Sequence, residues 1–268
     1  MKCILPTLFA ALLLAPASAF AQAPAAAGGQ PRELQDCPEC PKMVEIPAGK
    51  MMRSDKFGAA EFEVTIAKPF AVGKFEVTWT EFDTFADATK RDGKGCSWFS
   101  LVGARPQPDK DWNVAFDEAV HVQDETEPVL CVSWDDAKVY VAWLVEKTGK
   151  KYRLLTEAEW EWAARLGSPN NSAWWTTANT PQFEMANCAD CPGIDTMGRE
   201  DWLFTFPVGK YEPNKYGLYD MPGNAAEWVE DCVNPSLANA PKDGTAWTQG
   251  NCNQRINDIG FRVARDLD

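Results

Sequence analysis

The sequence predicts an α+β domain that is loop-rich and stapled by disulfides. Short strand-like alternations stand between segments that carry helical periodicity and capping residues, all within the first part of the chain. From Ser168 onward Gly, Pro and Asn cut the chain into short pieces, with tryptophans scattered among them. Apolar burial alone orders such a stretch poorly, so local covalent or metal closure is expected, and cysteines are present to supply it.

The elements follow in order. Val44-Glu45-Ile46, Phe62-Glu63-Val64-Thr65-Ile66 and Phe70-Ala71-Val72 alternate as short strands, the last ending at a turn at Gly73. Thr78 is the N-cap of a first helix; Glu81 completes a capping box, and Phe82, Phe85 and Ala86 supply the apolar face. Val129-Leu130-Cys131-Val132 reads as a buried strand running into Ser133, the N-cap of a second helix that continues through Leu144 and is closed by Gly149. A third helix starts at Thr156, boxed by Glu159, and runs through Trp160, Ala163 and Ala164 to Gly167. With no internal repeat and no second composition class, one domain over 37–268 is the expectation.

Residues 1–21 read as a secretory signal peptide: Lys2, an apolar run, then Ala19-Phe20-Ala21. The run is shorter than the roughly 20 residues a spanning helix needs and is broken by Pro6 and Pro16, so no transmembrane anchor is expected. The destination is the periplasm or the medium. Residues 22–36 lack apolar periodicity and read as a flexible leader. Loss of Cys3 with the signal leaves eight of the nine cysteines, an even number for an oxidising compartment. Taken in sequence order they pair Cys37 with Cys40, Cys96 with Cys131, Cys188 with Cys191, and Cys232 with Cys252. The two CxxC motifs could together hold zinc, or either could be a redox pair. Local structural disulfides are the expectation, because no βαβ pattern surrounds either motif and oxidation competes for the thiols.

Charge narrows the function. With 39 acidic against 26 basic residues and a net charge of -13, the chain lacks the clustered Lys and Arg that nucleic acid requires. His121 is the only histidine, which excludes sites built on two or three imidazoles and leaves carboxylate, carbonyl and thiolate ligands. No nucleophile motif lies near His121, so it reads as a surface loop residue rather than a general base. Trp98, Trp112, Trp174 and Trp175 could line a ligand groove, but tryptophans between irregular loops are read mainly as core.

Several motifs stand in a recognisable order. Cys40-Pro41-Lys42-Met43-Val44-Glu45-Ile46-Pro47-Ala48-Gly49 comes first, then Phe75-Glu76-Val77-Thr78, then Val132-Ser133-Trp134-Asp135-Asp136-Ala137. The run at 152–165, YRLLTEAEWEWAAR, is followed by Gly217-Leu218-Tyr219-Asp220-Met221, Gly223-Asn224-Ala225-Ala226-Glu227-Trp228 and a final Gly260-Phe261-Arg262-Val263-Ala264-Arg265. The chain resembles the sulfatase-modifying factor family, the formylglycine-generating enzymes, over nearly all its mature length. The resemblance implies a variant of the C-type lectin-like fold. It also implies an oxidase that converts a sulfatase cysteine to formylglycine, using oxygen and copper held by a pair of cysteines.

One departure from the family bears on that activity. The family's Arg-Gly-Gly-Ser-Trp element introduces its cysteine pair. Here Asp243-Gly244-Thr245-Ala246-Trp247 and Cys252 lead through Gln254-Arg255-Ile256-Asn257-Asp258-Ile259 directly to Gly260. Two-thiolate copper coordination needs two unpaired cysteines, so copper is not expected, and no catalytic residue is assigned. The expectation is a binding or accessory protein whose partner is an exported protein or peptide; the alternative is an active formylglycine-generating oxidase. Asn224 and Glu227, three apart after Gly223, can offer an amide oxygen and a carboxylate to calcium, or can simply cap a turn. The resemblance implies structural calcium there and at Asn187 and Asp201.

Overall fold

The computed structural model describes residues 31–54, 61–98, 105–115, 121–165, 186–187, 204–232, 237, 239–248 and 256–267. In chain order these form β1 (Glu33–Leu34), β2 (Met43–Ile46), β3 (Gly49–Ser54), β4 (Glu61–Ile66), β5 (Phe70–Gly73), α1 (Trp79–Thr89), β6 (Cys96–Trp98) and β7 (Arg105–Gln107). They continue as α2 (Trp134–Thr148), β8 (Tyr152–Leu154), α3 (Glu157–Arg165), β9 (Ala226–Trp228), β10 (Ile259–Phe261) and β11 (Val263–Asp266).

The organising layer is a five-stranded antiparallel sheet in the order β1-β2-β5-β11-β8. Its strand from the C-terminal end, β11, lies between β5 and β8 and so ties the two ends of the domain together. Both faces are buried, and the period of two sorts the side chains between them. Met43, Ala71 and Val263 face α1 and α2, joining Phe82, Phe85, Tyr140, Leu144 and Phe261 in an aromatic-rich core. Val44, Val72 and Ala264 face the other way, against the β3–β4 hairpin and Trp162 of α3. Gly49 makes room for that indole: a Cβ there would lie 2.4 Å from the Trp162 ring, whose Nε1 donates to the Pro47 carbonyl at 2.9 Å.

All three helices start as local chemistry dictates. Thr78 with Glu81 and Ser133 with Asp136 form reciprocal capping boxes, and Gly149 closes α2 in the left-handed conformation. Thr156 and Glu159 exchange the same pair of bonds ahead of α3, which is described to Arg165; Gly167 lies outside the described residues. Beyond the helices the structure departs from expectation at two points. Residues 129–132 are fully buried but form no strand. Their backbone is satisfied irregularly instead, Val129 N by Val77 O and Cys131 N by Ile256 O, with Cys131 itself at φ 58°. At the N-terminal end, Glu33 and Leu34 belong to the sheet as β1, although they stand in the segment read as leader. The physical reason is the edge of β2, whose unpaired backbone groups accept a short added strand without any side-chain periodicity.

Disulfides join Cys37 to Cys40 and Cys96 to Cys131. Cys232 is also disulfide-bonded; Cys188, Cys191 and Cys252 lie outside the described residues, as do the segment read as a signal peptide and most of the segment read as a leader. Among the described residues no helix is long and apolar enough to cross a membrane.

Candidate functional site

The strand β10 runs parallel to β9, which sets Arg262 beside Glu227 in the middle of the domain. Arg262 is fully buried. Its Nε and Nη2 donate to Glu227 Oε1 at 3.1 and 2.9 Å, Nη1 to the Gly73 carbonyl at 3.0 Å, and Nη2 to the Tyr219 carbonyl at 3.0 Å. Trp160 Nε1 completes the cage, donating to Glu227 Oε2 at 2.7 Å. A buried guanidinium is costly unless every donor finds an acceptor, and here carboxylate and carbonyls supply them.

Two further carboxyls crowd this arginine. Glu76 lies 3.7 Å from Arg262 Nη2, is fully buried, and neither of its oxygens has a side-chain hydrogen-bond partner among the described residues. Burial pushes its pKa well above the usual carboxyl range, against the pull of Arg262 and with added repulsion from Asp220 and Glu227. Asp220 is raised by burial too, although the Gly209 N–H at 2.6 Å favours its charged form. Burial also opposes the charge on Arg262, but Glu227 and Glu76 outweigh it and hold its pKa above the ordinary arginine value.

The residues predicted to bind calcium are placed as follows. Asn187 and Asn224 come together: Asn224 N donates to Asn187 O at 2.8 Å, and Asn187 Nδ2 donates to Phe204 O at 2.6 Å. The Asn224 amide clasps the Phe206 backbone, Oδ1 accepting from N at 2.9 Å and Nδ2 donating to O at 3.2 Å. Glu227 is turned away to Arg262. A calcium ion shared by the Asn224 and Glu227 side chains does not fit this arrangement, since amide and carboxylate are each committed to different partners. Asp201 lies outside the described residues. Among those described, no group of three or more His, Cys, Asp or Glu is arranged to hold a metal ion.

Sequence reasoning missed a second constellation. His121 does not stand alone on a surface loop: its Nε2 is 3.0 Å from Glu127 Oε2, and its ring stacks on Phe204 at 4.9 Å. Glu127 is buried and also accepts from Thr205 Oγ1 at 2.5 Å and from Asp124 N at 3.1 Å. Of the tryptophans, Trp112 is core and Trp98 packs beside the Cys96–Cys131 bridge. Trp134 and Trp228 tie loops together by donating to the Val229 and Val132 carbonyls. Trp174 and Trp175 lie outside the described residues.

The described ends of the segment that departs from the family pattern are each anchored to the domain. On one side Asp231 accepts from Glu157 N and Trp247 N, and Thr156 Oγ1 donates to Gly244 O. On the other, Ile256 bridges Ser97, and Asn257 N donates to Ser97 O. Residues 249–255 join these anchors and contain one cysteine, Cys252. A cleft of about 450 Å³ is lined by Gly244 and Thr245 together with Phe70, Leu154, Arg153, Glu159 and Asp266.

A lectin-like scaffold closed through its C-terminal strand, with an arginine knot at its centre, defines the class of the domain. The sequence profile of the sulfatase-modifying factor enzyme 1-like domain matches residues 30–267, and the chain belongs to that family. It is 31% identical to the formylglycine-generating enzyme of Streptomyces coelicolor, over 82% of this chain and 76% of that protein. It is 30% identical to the inactive C-alpha-formylglycine-generating enzyme 2 of Mus musculus, over 73% and 70% respectively. Among solved structures it resembles PvdO from Pseudomonas aeruginosa, with a TM-score of 0.69 and 31% identity, covering 89% of this chain and all of that one. Treponema denticola variable protein 1, at 18% identity and a TM-score of 0.58, shares the fold.

Proposed function

We propose that this protein is an exported formylglycine-generating-enzyme-like domain without a copper–cysteine oxidase centre, acting as a binding or accessory protein toward an exported protein or peptide. The observation that carries the reading is the state of the thiols near the departing segment. Cys232 is already in a disulfide, which leaves Cys252 as the other cysteine between residues 192 and 268. A soft two-thiolate copper site needs two free cysteines in reach of each other. Relatives named both as active and as inactive enzymes occur at similar identity, so membership of the family decides neither way.

Disulfides at Cys37–Cys40 and Cys96–Cys131 support export, because such bonds persist in oxidising compartments. We keep structural calcium within the proposal at Asn187 and Asp201, and no step depends on it. The test is incubation of the purified mature protein with copper, oxygen and a sulfatase-type cysteine peptide, read by peptide mass spectrometry. No formylglycine above a no-enzyme control is the expected result. Aldehyde formation that disappears in Cys252→Ser would make the chain an oxidase, as its similarity to the Streptomyces enzyme would then have indicated.

A further inference from the structure

We infer that the Cys37–Cys40 disulfide is a thiol–disulfide exchange site, with Cys37 as the sulfur attacked by a partner's thiolate and Cys40 as the leaving thiol. The bridge sits in the turn between β1 and β2 and spans three positions of sequence. Its two halves are in unlike surroundings. Cys37 is partly exposed and is followed by the exposed Pro38 and Glu39, whereas Cys40 is 1% exposed and packed in the core. An incoming thiolate therefore has one accessible target, and access governs exchange as strongly as thiol acidity does.

The turn does not need the sulfur bond to keep its shape. Gln35 Nε2 donates to the carbonyls of Pro38 at 3.2 Å and Cys40 at 3.0 Å, and Cys40 N donates to Cys37 O at 3.1 Å. Asp36 accepts from the Tyr152 hydroxyl at 2.7 Å and pairs with Arg265 at 3.2 Å, while Glu39 pairs with Lys147. Opening the bridge leaves both cysteines held near each other, ready to close again. The Cys96–Cys131 bridge is the opposite case: it joins residues 35 apart, and both its cysteines are buried. It cannot be reached without opening the fold.

The substrate class is a dithiol on an exported protein or peptide. A partner thiolate attacks Cys37 Sγ; the Cys37–Cys40 bond breaks, and its electron pair leaves on Cys40 Sγ, which takes a proton. The partner's second thiol, deprotonated, then attacks the partner sulfur of the mixed disulfide and releases Cys37. The partner has lost two electrons and two protons to become a disulfide, and Cys37 and Cys40 have gained them as thiols.

The experiment uses the folded mature protein in reduced glutathione, quenched at intervals by alkylation and mapped by peptide mass spectrometry. Cys37–Cys40 is expected to open about tenfold or more faster than Cys96–Cys131, with the near-ultraviolet circular dichroism unchanged. In a second arm Cys40→Ser and Cys37→Ser are each offered an oxidised synthetic dithiol peptide, and a mixed disulfide is expected on Cys37 alone. Opening of both bridges together with loss of the dichroism would overturn the proposal, and the wild-type arm gives this answer whether or not the variants fold. Equal capture by both variants, or capture by neither, would overturn it as well.

Discussion

Glu227 and Arg262 hold one another through two donors on the arginine, at 2.9 and 3.1 Å to the same carboxylate oxygen, and the guanidinium has no solvent exposure. Neither residue is near the other in sequence. The parallel pairing of β9 with β10 brings them together, so the ion pair reports correct closure of the C-terminal end on the sheet. This position makes Glu227 a structural residue before it is a candidate for anything else.

Glu227→Gln is accordingly expected to destabilise the protein by about 3 kcal/mol, because removing one partner strands a buried charge. The loss should be the same in calcium-containing buffer and in EDTA, measured by denaturant unfolding. A loss seen only with calcium present would return Glu227 to a cation and dissolve the pairing argument.

Gly49→Ala should cost about 1–3 kcal/mol, since its Cβ would lie 2.4 Å from the Trp162 ring and the indole cannot swing away without giving up its bond to Pro47 O. Pairing it with Trp162→Phe, which trims the ring, should recover part of the loss. Additive losses in the double variant would show that the two residues do not meet.

What the sequence disclosed and what it concealed follow from range. The capping boxes at Thr78, Ser133 and Thr156 are made within three residues, so residue type and spacing suffice to read them. The apolar run at 129–132 was equally visible but ambiguous, because a buried irregular segment and a buried strand share a composition. Only distant partners, Val77 and Ile256, distinguish the two. Asn224 and Glu227 carry the spacing of a calcium pair, yet their commitments are to Phe206 and Arg262, 18 and 35 residues away. His121 and Glu127 lie six residues apart, but nothing in the sequence marks Phe204 and Thr205 as the residues that complete their site.

Stability should fall as pH rises from about 5 to about 7. Burial raises the Glu81 carboxyl from 4.5 to about 7, and it raises Glu76 and Asp220 as well. Groups whose folded pKa exceeds the unfolded value bind protons more tightly in the native state, so between the two values the folded chain carries the extra protons and loses stability as pH climbs. For Glu81 alone the span is worth up to about 3 kcal/mol. Glu39, Asp124 and Asp243 are shifted downward by hydrogen bonds, so their opposite effect lies below their ordinary range and outside this window. Urea unfolding at several pH values measures the slope. Glu81→Gln, which keeps an acceptor for the cap, should flatten it, and an unchanged slope in that variant would assign the effect elsewhere.

The thiol inventory gives the last prediction. Cys37, Cys40, Cys96, Cys131 and Cys232 are all in disulfides, and on the proposal that residues 1–21 are cleaved as a signal peptide, loss of Cys3 leaves an even eight. The mature protein, denatured without reductant, should therefore titrate with almost no free thiol, with Cys188 bound to Cys191 and Cys232 to Cys252. Breaking the long-range bridge by Cys96→Ser with Cys131→Ser should cost about 4 kcal/mol, because a loop of this length confines the unfolded chain strongly. Breaking the short one by Cys37→Ser with Cys40→Ser should cost about half of that on the same reasoning. Two free thiols that map to Cys232 and Cys252 would overturn the disulfide assignment and restore the thiolate pair that a copper oxidase requires.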